Sequence, residues 1–327
     1  MTIEEFKESL YQKIKTLNET IWEGRVKGSN INQWLDNFEN EDEKINALFL
    51  LSQFMYFGNS QMREMLKVLY RDLYKYPIIE KIRRANDDTT NLYQIKSKFE
   101  EELKNTRFLG VGNPSESGTH LLYYFRQENS LPKKLFINTS EIFDSKDRNK
   151  LFDENIKNYV FIDDFCGSGS QAKRYSKDLV EIIKSLKTDV SITYLMLFST
   201  QKGKLFVKEK TKFDFAETIF ELDDSFKCFS ESSRYYKGTN TFINKQLMKQ
   251  ICERHGYEML KIIWTKEGVD AEKIHSLSSE NQLGFGNCQL LLGFGHNTPD
   301  NTLPIFWYDE GIKNWYPIFK RYNKIYK

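Results

Sequence analysis

The chain has 327 residues, with 48 Lys and Arg against 46 Asp and Glu, a formal net charge of +2. That balance excludes a protein drawn to nucleic acid or an anionic membrane by bulk charge alone. Charged residues make up 29% of the chain and its apolar runs are too short to span a bilayer.

The opening residues are acidic and amphipathic, without the basic start and apolar centre of a signal peptide, so a cytoplasmic protein is expected. Four cysteines, at 166, 228, 252 and 288, form no C-x-x-C pair. Neither a zinc site nor a disulfide framework is suggested. The length allows one large domain or two ordinary ones.

Residues 1–104 read as a helical region. Phe6, Leu10, Ile14 and Leu17 mark a first helix, and Ile45, Leu48, Phe49, Leu51 and Phe54 a second that Gly58 ends. Met62, Met65, Leu66, Leu69 and Leu73 mark a third, with Pro77 beyond its end. The Met and aromatic stripe over 54–74 reads as core rather than as a partner face. A loop at 85–90 precedes a helix over 91–104.

From Phe108 the period changes. Strands are expected at 107–112, 134–137, 159–163, 190–197, 216–221, 287–292 and 303–307. Helices are expected at 119–127 and 173–186. This alternation predicts an α/β fold with a parallel sheet flanked by helices, over residues 105–310. Within it, 223–282 is polar and mixed, and reads as a C-terminal cap over the ligand crevice. Residues 311–327 form a basic aromatic tail, expected to dock its aromatics and expose its lysines.

The most informative stretch is IDDFCGSGSQ at 162–171. An apolar strand runs into two acids, then a Gly/Ser loop, then a helix. Backbone N–H groups of Cys166, Gly167, Ser168, Gly169 and Ser170 suit a phosphate, and Asp163 and Asp164 suit the vicinal hydroxyls of a sugar. One segment can thus hold both ends of a sugar phosphate. Cys166 has no local basic partner and reads as a small packing residue. It also occupies the first glycine position of G-x-S-x-G, so Ser168 is not a hydrolase nucleophile.

Two families use such a loop. In the type I phosphoribosyltransferase signature, Asp163 and Asp164 supply the acids, Phe165 the apolar residue, Ser168 a hydroxyl, Gly169 the glycine and Ser170 the small residue. Gln171 departs from the final Thr. The amino-methyltransferases of nucleic acids carry D-P-F-x-G-S-G, which residues 165–169 match, with Asp164 in place of proline. That family also needs an N/D-P-P-aromatic motif. Here Asn113-Pro114 is followed by Ser115, and the strand over 190–197 ends without a ribose-binding acid. The phosphoribosyltransferase reading is therefore preferred, and S-adenosylmethionine binding is the mark of the alternative.

With GVGNPSESG at 110–118 and HNTP at 296–299, the chain resembles the phosphoribosyltransferase-like proteins of bacterial conflict systems, associated with anti-phage loci including some retrons. The likeness spans roughly residues 30 to 310. It implies a type I phosphoribosyltransferase fold acting on phosphoribosyl pyrophosphate or a related nucleotide with Mg²⁺. Asp163 and Asp164 would be the catalytic acids and ribose contacts. Residues 166–170 would hold the 5-phosphate, and Asn113, Pro114, Ser115, Glu116 and Ser117 pyrophosphate. Arg126, with Lys146, Arg148 and Lys150 of a closing loop over 138–157, could reach phosphate, and His296 and Asn297 could meet the acceptor. The resemblance also implies a defence-complex partner such as a reverse transcriptase with its nucleic acid. Departures at Gln171 and Glu116 leave open a nucleotide-sensing or assembly subunit without turnover.

Overall fold

The structure is a computed structural model that describes residues 1–112, 117–238, 241–309 and 315–321, with backbone alone at 117–120. The pyrophosphate candidates Asn113, Pro114, Ser115 and Glu116 lie outside the described residues, as does the side chain of Ser117. So do both ends of the basic tail.

In chain order the elements are α1 (Ile3–Thr20), α2 (Gly28–Leu35), α3 (Glu41–Leu51), β1 (Met55–Phe57) and α4 (Asn59–Val68). A π-helical stretch, Leu69–Lys75, leads into α5 (Tyr76–Arg84), and α6 (Leu92–Lys104) follows. Then come β2 (Thr106–Gly110), α7 (Ser117–Glu128), β3 (Asn158–Cys166) and α8 (Ser170–Tyr175). A second π stretch, Ser176–Val180, joins α8 to α9 (Glu181–Leu186). The rest is β4 (Ser191–Thr200), α10 (Gln201–Lys210), β5 (Phe215–Leu222), α11 (Lys245–Lys266), α12 (Ala271–Asn281) and β6 (Leu292–Phe294).

Two compact units form, one of Met1–Ser60 with Asp223–Lys327 and one of Gln61–Leu222. These limits differ from the boundaries at 104 and 310 drawn on the sequence. The helices of 61–104 belong with the sheet, and the residues after 222 belong with the first helices.

In the unit Gln61–Leu222, four strands pair in parallel in the order β2-β3-β4-β5. The expected strand at 134–137 is reduced to a single parallel bridge, Phe108 to Phe136, beside β2. Pro132 and a 3-10 turn at Lys133–Leu135 precede it and leave too little extended chain for more. Counted with that bridge, the spatial order is second, first, third, fourth, fifth, a doubly wound arrangement. The order reverses between β2 and β3, and a ligand crevice is expected at the carboxyl ends flanking such a reversal.

The central strands β3 and β4 are covered on both faces and are apolar over most of their length, whereas β5 carries Glu217 and Glu221 and is partly exposed. On one face Phe108 packs at 5.0 Å from Tyr74, 5.2 Å from Phe125 and 5.4 Å from Phe136. On the other, Phe161, Cys166, Tyr194 and Met196 join Ala172, Leu179, Val180 and Ile183. The helix expected to stop before Pro77 instead restarts there. The N–H of Tyr76 reaches back five residues to the Arg71 carbonyl, and Pro77 occupies the first turn, where its missing N–H is no loss.

The unit of Met1–Ser60 and Asp223–Lys327 is built on aromatics. Phe319 stacks on Phe54 at 4.2 Å, and Trp34 donates its indole N–H to the Ile305 carbonyl at 2.8 Å. Phe319 and Trp315 belong to the described part of the tail, and both dock on this unit. Among the described residues its strands are β1 and β6, a short parallel pair. Two strand expectations fail here. Residues 287–291 hold no strand beyond a single parallel bridge from Leu290 to Thr302, with β6 starting at Leu292, and 304–306 is a 3-10 turn opened by Pro304, which has no N–H for a ladder. The strand β1 was hidden in the apolar stripe read as helical.

The 223–282 segment supplies α11 and α12 to this unit. Met248, Ile251 and Cys252 of α11 enter its core, and Arg254 pairs with the buried Glu43 at 3.0 Å. A Cβ on Gly256 would lie 1.9 Å from the Gln282 carbonyl oxygen, a backbone atom that cannot step aside. Gly256→Ala is therefore expected to destabilise by about 2 kcal/mol or more, lowering the melting temperature by roughly 4–8 °C. A calorimetric scan showing no change would contradict that packing. No helix among the described residues is long and apolar enough to cross a membrane.

Candidate active site at the ends of β2 and β3

The chain leaving β2 at Val111 and Gly112 runs beside β3 and the helix that follows it. The N–H of Val111 bonds to the Ile162 carbonyl at 3.1 Å, carrying the pairing one residue past β2. The chain then turns at Gly112, whose φ of 102° suits only glycine well. From the last residue of α8, the Tyr175 hydroxyl donates to the Gly112 carbonyl at 3.1 Å. One side chain thus ties the helix after β3 to the chain leaving β2 at the reversal of strand order.

The loop after β3 is held from behind. The Ser199 hydroxyl donates to the Cys166 carbonyl at 3.1 Å, and the Thr200 hydroxyl to the Gly167 carbonyl at 2.5 Å. Gly203, in the first turn of α10, lets the helix press directly on these peptides. A trans peptide points its N–H opposite to its C=O. With both carbonyls turned toward β4 and α10, the N–H groups of Gly167 and Ser168 face the other way. Gly169, at φ 78°, then starts α8, and the Ser168 hydroxyl accepts the N–H of Ser170 at 3.3 Å while donating to its hydroxyl at 2.9 Å. The result is a set of donors suited to phosphate oxygens.

The two acids differ. Asp163 is 5% exposed. Its Oδ2 accepts the Tyr194 hydroxyl at 2.6 Å and its Oδ1 the N–H of Asp164 at 3.0 Å. Burial first, and the neighbouring Asp164 second, hold its carboxyl well above the ordinary carboxylate range. Asp164 is half-buried, and its Oδ1 accepts the N–H of Phe165 at 2.8 Å.

Burial also pushes the Cys166 thiol up to about 12, with the Asp163 charge adding to it. Thiolate is the reactive form, so Cys166 is inert here. All four cysteines are buried. The native protein is expected to react with iodoacetamide at pH 8 far more slowly than the same protein in denaturant. Rapid labelling mapped to Cys166 would refute this.

The remaining sequence candidates lie on other elements. Arg126 is half-buried on α7, its guanidinium 5.8 Å from the Tyr123 ring centre. Lys146, Arg148 and Lys150 are exposed, and Lys150 lies 3.7 Å from Asp147. Their loop is well anchored. Ile142, Leu151 and Ile156 are buried in the core below it, and Phe143 bridges Leu151. His296 and Asn297 belong to the other unit. There His296 stacks on Phe294, and Asn297 caps its own turn through the N–H of Thr298.

Tyr194, Ser199, Thr200 and Gly203 went unnoticed in the sequence. The polar end of the strand at Ser199-Thr200 and a glycine three residues on were the signals for the last three. Nothing local marks Tyr194.

In structural comparison, 52% of the chain aligns with 89% of the xanthine-guanine-hypoxanthine phosphoribosyltransferase of Helicobacter pylori, at 11% identity and a TM-score of 0.29. Half of it, 50%, aligns with 72% of the orotate phosphoribosyltransferase of Aeropyrum pernix, at 13% identity and a TM-score of 0.24. No curated protein matches by sequence. The α/β architecture, a parallel sheet flanked by helices with an acidic strand end and a Gly/Ser loop, fits the type I phosphoribosyltransferase-like fold. The family profile matches residues 31–321, most of the chain, and the protein belongs to the PRTase-CE family.

Proposed function

We propose that the unit Gln61–Leu222 binds phosphoribosyl pyrophosphate, or a related nucleotide, with Mg²⁺ and transfers the phosphoribosyl group to a nucleotide, base or nucleic acid. The observation that carries this is an acid at the end of β3, beside a loop whose Gly167 and Ser168 N–H groups are turned away from their anchors, at the reversal of strand order. The N–H groups of the 166–170 loop would hold the 5-phosphate. Asp164 would face the ribose hydroxyls. The 113–117 loop, directly after Gly112, would take pyrophosphate.

In such a transfer the C1–O bond to pyrophosphate breaks as an acceptor nitrogen bonds to C1 and loses its proton. The protein's share is to orient the sugar and to exclude competing water. Mg²⁺ keeps several waters and commonly binds substrate phosphates with few carboxylates. A site with few acids fits an ion that arrives on the pyrophosphate, where it would neutralise the departing charge.

The setting proposed is cytoplasmic anti-phage defence, with a partner such as a reverse transcriptase and its nucleic acid. Co-purification from the native host would test this. A second reading is a nucleotide sensor without turnover, which Gln171 in place of the signature Thr favours.

The test is calorimetric titration with phosphoribosyl pyrophosphate and Mg²⁺, beside S-adenosylmethionine. Binding of the first alone supports the proposal. No binding of it would remove the phosphoribosyl reading, and binding of the second would replace it with methyl transfer. Turnover across a panel of acceptors separates the enzyme from the sensor.

A further inference from the structure

Asp163 and Asp164 are adjacent in sequence, but β3 presents them to different surroundings. Asp163 lies on the face that carries Tyr159, Phe161 and Tyr194. Phe161 is the direct neighbour of Tyr194 across the β3–β4 pairing. Asp163, two residues further along the same face, falls within reach of the Tyr194 hydroxyl. That tyrosine is held in place. It is 1% exposed, and its ring stacks on Phe213 at 5.1 Å and 19°.

Each oxygen of the Asp163 carboxyl therefore has a partner inside the protein, one in a buried hydroxyl and one in the main chain. A group engaged in this way and closed off from solvent is poorly placed to meet an incoming sugar. We infer that Asp163 is a positioning residue rather than a ligand contact. Paired with Tyr194, it sets the Asp164 peptide, so that Asp164 is the acid that meets the vicinal hydroxyls of a pentose phosphate. This rests on the phosphoribosyl reading above.

The division of roles has a physical reason. Two adjacent carboxylates at one buried strand end repel when both are charged. Burial disfavours charge on Asp163, the direction in which its carboxyl is displaced, and so favours charge on its more exposed neighbour. An asparagine at 163 then keeps much of what the acid does. Its oxygen can accept the N–H of Asp164, and its amide can donate to the Tyr194 oxygen.

The experiment compares Asp163→Asn, Asp163→Ala, Tyr194→Phe and Asp164→Asn, each checked for folding by thermal melt. Titration with phosphoribosyl pyrophosphate and Mg²⁺ should show Asp163→Asn within about threefold of the parent protein, where Asp164→Asn loses on the order of 100-fold. Tyr194→Phe should weaken binding about tenfold, with no added effect in the Asp163→Ala background, because both changes break one linkage.

Hydrogen exchange of the Asp164 amide is a second, ligand-independent measurement. It should be faster in Asp163→Ala and near parental in Asp163→Asn. Equal loss of binding in folded Asp163→Asn and Asp164→Asn would overturn the inference, as would unchanged exchange in Asp163→Ala. If the parent protein binds no phosphoribosyl pyrophosphate, the functional reading falls. The exchange measurement would still decide whether Asp163 positions Asp164.

Discussion

Asp164→Asn is expected to weaken binding of phosphoribosyl pyrophosphate with Mg²⁺ by about 100-fold or more, with little change in melting temperature. The side chain is half-buried at the carboxyl end of β3, beside a loop whose N–H groups of Gly167 and Ser168 are turned away from their anchors. A charged acceptor that bonds two sugar hydroxyls contributes about 1.5–3 kcal/mol per bond, and the amide keeps its shape but loses its charge. The small stability cost follows because the bond that the side chain accepts from the N–H of Phe165 needs only an oxygen, which asparagine retains. Titration calorimetry beside a thermal melt reads both quantities. Undiminished affinity would remove Asp164 from the site.

Gly203→Ala is expected to damage stability and binding together. A Cβ there would sit 2.2 Å from the Gly167 oxygen and 2.9 Å from the Cys166 oxygen. Both are backbone atoms already bonded by Thr200 and Ser199, so neither can rotate away. Either α10 lifts or the loop is pushed outward. Overpacking of this kind costs about 1–3 kcal/mol, which for a unit of this size lowers the melting temperature by roughly 2–12 °C. A displacement near 1 Å at the phosphate loop weakens ligand binding by on the order of 10- to 100-fold. Loss of stability with full affinity would mean that the helix moves and the loop does not. Full stability would mean that the close approach is absent.

The α/β class and three of the four long strands could be located from periodicity within a few residues. Apolar runs such as 159–162 and 192–198 are buried on both faces, and little else produces them. β2 was anticipated as well, because its approach to the loop at Gly112 is marked by glycines. The short elements were not visible. β1 and β6 pair over three residues each, too few for a period to register. The bridge at Phe136 exists only because Phe108 is beside it. Pro304 could have warned that 303–307 would not join a ladder.

Within the site, the residue types of 162–171 pointed to a sugar phosphate because acids, glycines and small hydroxyls occur in unbroken succession. Local chemistry of that kind is written in adjacent positions and survives any folding of the rest. The separate duties of Asp163 and Asp164 are not written there. They depend on Tyr194, 31 residues away, which is brought to Asp163 by the β3–β4 register. The orientation of the loop amides likewise depends on Ser199, Thr200 and Gly203, and the tie between α8 and Gly112 on a bond from Tyr175. The linear chain therefore specified which groups are available and the class of fold that carries them. Which of those groups face a ligand, and which are spent holding the others in place, was settled only by strand pairing and burial, because these bring together residues that no sequence interval relates.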